Sequence, residues 1–252
     1  MDKKSFKYWN ILYPFIALGL ILALWAITAA TIGQEIVFPK LSSTIKAFFD
    51  LIKTKSFYVD LGYTLLRVII SFLVSFCLAT ILSIIAKILN GLGNVISIMA
   101  SVIRVVPTMS IILLALIWLS TLRAPMLVAV LVIFPLQYSG LLNSIENVSP
   151  KLQEMATIYN VPIKKQIIKM YLPQMSKDVF SSIQSTISLN VKLIIAAEVM
   201  AQTRDSMGLQ MQQASMYLEM DVLLAWTVAA VLLGLILEGI VELLKMAFVK
   251  GR

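Results

Sequence analysis

Residues 147–177 read NVSPKLQEMATIYNVPIKKQIIKMYLPQMSK, a polar, lysine-rich stretch between two segments apolar enough to cross a bilayer. The local grammar predicts two short helices meeting at an elbow. Ser149 is placed as an N-cap and Pro150 as a first helical residue, where the N–H that proline lacks would have no partner anyway. Nothing breaks a helix between Lys151 and Tyr159. Asn160 falls where that helix closes, in the left-handed conformation that Asn tolerates second only to Gly. Pro162 opens a second helix over 163–172, and Pro173 is expected to stop it. Leu152, Met155, Ala156 and Tyr159 recur at i, i+3, i+4, i+7, an apolar face on a helix too short to stand alone in water. That face packs either on its own membrane domain or in a groove of a partner protein.

The composition narrows the class. Of 252 residues, 60% are hydrophobic and only 13% charged, with a mean hydropathy of +0.91. Soluble domains carry about 25% charged residues. The reading is an all-α, polytopic membrane protein of about six transmembrane helices. Histidine is absent and Cys77 is the only cysteine, which excludes intrachain disulfides, His-ligated metals and Ser-His triads. No G-x-x-x-x-G-K-[ST] phosphate loop occurs, so nucleotide hydrolysis would fall to another chain. No cofactor, metal or catalytic residue is expected. The net charge of +8 is assigned to loops facing anionic lipid and not to nucleic acid, because few aromatics interleave with the charges.

Two regions are expected: 1–62, an N-terminal transmembrane helix with an external interfacial segment, and 63–248, a core transmembrane domain that includes the 147–177 loop. The apolar run Ile11–Ile32 is read as the first span, with Tyr8, Trp9 and Tyr13 near one interface. A cleaved signal peptide is the competing reading; the run is nearer a full span, and no clear A-x-A site follows. Ser42 or Ser43 is placed as the cap of a helix carrying Ile45, Phe48, Phe49 and Ile52, lying on a membrane surface or packed as a connector. Further spans are expected at Tyr63–Ala86, Val95–Leu119 broken by Pro107, Met126–Asn143 containing Pro135, Val179–Met200 and Val222–Phe248. With both termini cytoplasmic, loop lysines and arginines favour the inner side about twofold and place the 147–177 loop inside.

Arg67, Arg104 and Lys192 fall within the spans. Arg67, near a helix end, is read as snorkelling to the interface. Arg104 is expected to have an interior partner: Glu198, Glu238 or a backbone carbonyl. Glu238 and Glu242, one turn apart, are read as structural. Along Val179–Met200, Ser181, Gln184, Ser185, Ser188 and Lys192 form one polar stripe, while Ser182, Thr186 and Asn190 form a second. Such a segment is enclosed by protein or lines water. Lys192 either serves a translocation pathway or pairs with a glutamate.

The elbow also carries a resemblance. Glu154-Met155-Ala156, Asn160 four residues on, and Met170-Tyr171-Leu172-Pro173 resemble the EAA loop of ABC-importer permeases. That pattern has Glu-Ala-Ala, a Gly four residues later, then Ile-x-Leu-Pro; Met155 here replaces the first Ala and Asn160 the Gly. Thr64-Leu65-Leu66-Arg67, Arg104-Val105-Val106-Pro107, Phe134-Pro135, Ala197-Glu198, Met207-Gly208-Leu209 and Glu238 extend it from about Thr64 to Glu242, closest to the nitrate, taurine and aliphatic-sulfonate branch. The resemblance implies the type I importer (MetI-like) permease fold in a bacterial inner membrane. It also implies cytoplasmic ATPase subunits gripping Leu152, Glu154, Met155, Ala156, Tyr159, Asn160 and Pro173, a second permease copy or paralogue, and an external binding protein. Arg104, Ser185, Ser188, Lys192 and Glu198 are the pathway candidates, for a small solute that a lining cation would suit if it is anionic. An ion-gradient-driven secondary transporter is the alternative, opposed by the lack of an internal repeat. An intramembrane enzyme lacks a nucleophile–base pair.

Overall fold

The computed structural model describes residues 3–250, and every regular element among them is a helix. Side chains of Lys3–Leu12 are not among those described, nor are Lys250 and Arg252, so the interfacial placing of Tyr8 and Trp9 and the charges of Lys3, Lys4, Lys7, Lys250 and Arg252 lie outside the described residues. In chain order come α1 (Lys3–Ile32), α2 (Leu41–Ile52), α3 (Lys55–Ile88), α4 (Asn90–Val105), α5 (Thr108–Trp118) and α6 (Ala124–Glu146). Then follow α7 (Pro150–Ile158), α8 (Ile163–Gln166), a π turn (Ile167–Tyr171), α9 (Leu172–Ala201), α10 (Met207–Met216) and α11 (Met220–Lys250). Among the described residues, α3, α6, α11 and the stretch Ile163–Ala201 are each long and apolar enough to cross a bilayer. The α4–α5 pair counts as a fifth if its two halves are one span, and α1 contributes the apolar stretch Ile16–Ile32.

Proline sets the breaks. Val106 and Pro107 are both extended (ψ 128° and 127°), because the residue before a proline is driven out of the helical region, and α4 and α5 bend by 97° across them. Pro125 sits in the first turn of α6, where a missing N–H costs nothing. Pro173 corrects the sequence reading: it does not end a helix but lies in the first turn of α9. In a regular helix its ring would press on the carbonyl four residues back. The π turn just before it, with Leu172 N–H bonded to Ile167 O, widens the spiral and relieves that contact. Ser42 and Ser43 are also corrected. The N-cap of α2 is Lys40 with no side-chain cap bond, and Ser43 Oγ instead donates to Glu35 Oε2 at 3.3 Å.

The chain divides into two compact units. One comprises residues up to Tyr58 with Gln210–Ala229. In it Gly33, at φ +65°, turns the chain out of α1, and Trp25 Nε1 donates to Pro39 O at 3.1 Å. Lys40 lies 2.8 Å from Glu35 and holds that exposed carboxyl below its ordinary pKa. Phe57 stacks on Trp226 with ring centres 5.1 Å apart.

The other unit comprises Val59–Leu209 and the chain from Ala230 on. Its core has two clusters. Ile111, Ile112 and Ala115 of α5 meet Ala124 and Val128 of α6 and Ala197 of α9. Ala79 and Ala86 of α3, Ala100 of α4, and Tyr138 and Leu141 of α6 form the second. Small residues let the helix backbones come close, as hydrogen-bonded packing in lipid requires. At Gly140 of α6 an added Cβ would lie 2.5 Å from Ser182 Oγ of α9.

Candidate functional site

The elbow is built by its own backbone chemistry. Asn160 takes φ 48°, Val161 N–H bonds Ala156 O at 2.9 Å and Asn160 N–H bonds Thr157 O at 3.1 Å. This is a Schellman closure with Asn in glycine's usual place, and its apolar contact brings Val161 against Ala156 in a small cluster with Val148 and Met170. Glutamines fasten the elbow. Gln153 Nε2 donates to Val148 O and Gln166 Nε2 to Val161 O, each at 2.8 Å, and Ser149 N–H donates to Gln174 Oε1 at 3.1 Å. Ser149 holds the N-cap position, but its hydroxyl makes no cap bond.

The apolar face of α7 is therefore split. Ala156 is 7% exposed and turned into its own bundle, whereas Met155 (51%), Ile158 (74%) and Tyr159 (73%) stand free. Leu152, Glu154 and Asn160 are exposed beside them. Ile158, outside the i, i+3, i+4, i+7 stripe, belongs to the exposed set. Its spacing of three from Met155 was the available signal. Pro173 is half-buried in α9 and contributes through the π turn rather than by contact with the outer face.

Among the charges, Arg67 overturns its snorkelling assignment. It is 6% exposed, and its Nη1 lies 2.8 Å from Oε1 of the fully buried Glu198. Nη1 and Nη2 also donate to the carbonyls of Asp205 and Arg204, each at 3.2 Å. Thr64 Oγ1 lies 3.1 and 3.0 Å from the two carboxylate oxygens and accepts from Met207 N–H at 3.0 Å. Gly208 N–H completes the ring to Glu198 Oε2 at 3.3 Å. The turn between α9 and α10 makes this possible. Gln202 and Asp205 both adopt positive φ (48° and 50°), folding the carbonyls of 204 and 205 over the guanidinium. Gly208 is required there, since a Cβ would lie 2.5 Å from Glu198 Cβ and 2.7 Å from Ile195 O. A helix-by-helix reading cannot foresee a turn that returns over another helix's arginine.

Arg104 finds a carbonyl, one of its expected partners: Nη2 donates to Pro135 O at 3.2 Å and to Ser139 Oγ at 2.7 Å. Among the described residues it has no carboxylate partner. The two polar faces of α9 separate. Asn190 is buried, donating to Val68 O at 2.8 Å and to Ser71 Oγ at 3.1 Å, both of α3, Ser182 lies against Gly140 of α6, and buried Thr186 bonds Ser182 O of its own helix at 2.7 Å, so this face is helix packing. The other face is open: Ser181, Ser185 and Lys192 are exposed, and half-buried Ser188 donates to Glu238. Lys192 has no ion-pair partner among the described residues.

Spans broken by proline, a polar elbow mounted on one of them, and a buried Arg67–Glu198 pair describe a multi-span membrane component. The chain belongs to the family of binding-protein-dependent transport system inner membrane components, whose pattern matches residues 79–249. A protein of Methanocaldococcus jannaschii named as an ABC transporter permease is 20% identical over 226 residues, covering 87% of this chain and 84% of the relative. The chain is accordingly a multi-pass permease component of an ABC transporter, a transporter subunit. Membership implies an ATPase and other ABC components as partners.

Proposed function

We propose that the chain is the translocation subunit of an ABC importer for a small anionic solute of the nitrate, taurine or alkyl-sulfonate type. It couples to cytoplasmic ATPase subunits through α7. Residues 147–177 and both termini then face the cytoplasm of a bacterial cell, and an external binding protein delivers solute to a pathway shared with a second permease copy or paralogue. The observation that carries coupling is the split face of α7. Ala156 anchors the helix to its own bundle, so Met155, Ile158 and Tyr159 are left as a rigid apolar surface in a polar setting. Burying one such side chain in a partner's groove is worth about 1.5–3 kcal/mol. ATP-driven motion of the partner then moves the elbow, and through the glutamine bonds moves α9. The anionic preference is supported by Lys192 and Arg104, cations within the spans without carboxylate partners among the described residues, while Glu198 is neutralised by Arg67.

Affinity-purifying the tagged chain from its own membranes in mild detergent tests the reading. An ATPase is expected to accompany the wild type and to be lost from Ile158→Asp and Tyr159→Asp, with the variants still monodisperse. Ala156→Asp should instead lower the yield of folded protein. An ATPase absent from the wild type, or retained by both outer-face variants, would refute it.

A further inference from the structure

We infer that Glu238 is a counter-ion of Lys192, and that the Ser188 hydroxyl is where this carboxylate rests when Lys192 is free. The exchange with solute rests on the anionic reading above; the pairing itself rests on geometry alone.

The carboxylates that can reach the spans are few. Glu198 is held by Arg67, and Glu242 lies 3.1 Å from Lys245. Glu238 has only the Ser188 hydroxyl as a partner among the described residues, and no cation. Lys192 likewise has no anion. Yet Lys192 lies one turn beyond Ser188 on the same face of α9, and residues so spaced have Cβ atoms about 5–6 Å apart. Helical side chains lean toward the N-terminus, so the lysine stem leads back to Ser188 and the carboxylate it holds. Ser188 lies near the middle of the apolar stretch 179–200 and Glu238 near the middle of 222–248. At such depth an unpaired ammonium and an unpaired carboxylate are both costly, and a hydroxyl offsets little of it.

The consequence is competition between two anions for one cation, with the solute's charge added to the site. A solute anion arriving at Lys192 displaces Glu238, which moves to Ser188, the arrangement observed. When the solute leaves, Glu238 returns to Lys192. Glu238 therefore competes with the solute and sets its affinity.

The test is the reactivity of the Lys192 amine in the full chain in phospholipid nanodiscs, measured by reductive methylation with mass spectrometry and normalised to exposed Lys164. An amine held by a carboxylate partner is less available to the reagent than a free one. Glu238→Gln should raise the Lys192 rate by about fivefold, and Ser188→Ala, which removes the resting place, should lower it by about threefold, ratios ordinary ion pairs sustain. Methanesulfonate, with gluconate as control, should protect Lys192 in the wild type, and in Glu238→Gln at about a fifth of that concentration. Rates that rise in both variants, as mere loosening of the helices would produce, overturn the proposal, as do rates that change in neither. Opposite shifts without methanesulfonate protection would establish the pair, overturn the exchange and count against the anionic solute. Protection of equal potency in wild type and Glu238→Gln would keep the anionic solute and overturn the role of Glu238.

Discussion

Arg67→Met removes the guanidinium from Glu198 and leaves a carboxylate with no solvent exposure facing only Thr64 Oγ1 at 3.0 Å and Gly208 N–H at 3.3 Å. Breaking a buried pair from one side costs about 3–5 kcal/mol, because the remaining charge keeps its desolvation penalty without the attraction that offset it. Glu198→Gln should cost a similar amount. It strands a guanidinium whose remaining partners are the carbonyls of Arg204 and Asp205 and the face of Tyr63, 5.9 Å away. The double variant Arg67→Met/Glu198→Gln should be far milder than the sum, within about 2 kcal/mol of wild type, since a buried ion pair roughly breaks even against uncharged replacements. The measurement is a double-mutant cycle of unfolding in mixed micelles titrated with SDS, read by helicity. A double variant as unstable as the two singles added together would show that the residues do not act as a pair, and the account of the α9–α10 turn would fail.

Other expectations are local. Asn160→Gly should leave stability unchanged or slightly raised, whereas Asn160→Val should cost about 1–2 kcal/mol, because φ 48° is left-handed; equal effects in thermal unfolding would contradict the Schellman closure. Gly208→Ala should cost about 1–3 kcal/mol by overpacking, since its Cβ would lie 2.7 Å from the Ile195 backbone oxygen. Gly140→Ala should cost less, its closest contact being the movable Ser182 hydroxyl, and a reversed order in the same unfolding assay would refute the packing argument.

Much of this was legible in the chain because hydropathy and proline act locally. Every expected span falls on helix, with Val95–Leu119 divided between α4 and α5 and Ile16–Ile32 the apolar stretch described in the first, and Pro107 broke a helix where a proline forces its predecessor extended. Asn160 closed α7 for the same kind of reason, a short-range conformational preference. Pro173 did not behave as read, because a π turn five residues long absorbed its ring, and no propensity announces such a turn. Arg67 was misassigned because its partners lie more than 130 residues away in sequence.

By itself, then, the amino-acid order determined an all-helical membrane chain, its breaks and its polar elbow, since backbone hydrogen bonds in lipid have to close within each segment. Only the tertiary structure decided which side of each polar helix is spoken for. It put Ala156 inside and Ile158 outside, gave Glu198 to Arg67, buried Asn190 against α3 and left Lys192 open. Periodicity places residues on a common face, but which face meets a neighbour depends on how helices distant in sequence pack, and one sequence read segment by segment does not contain that information.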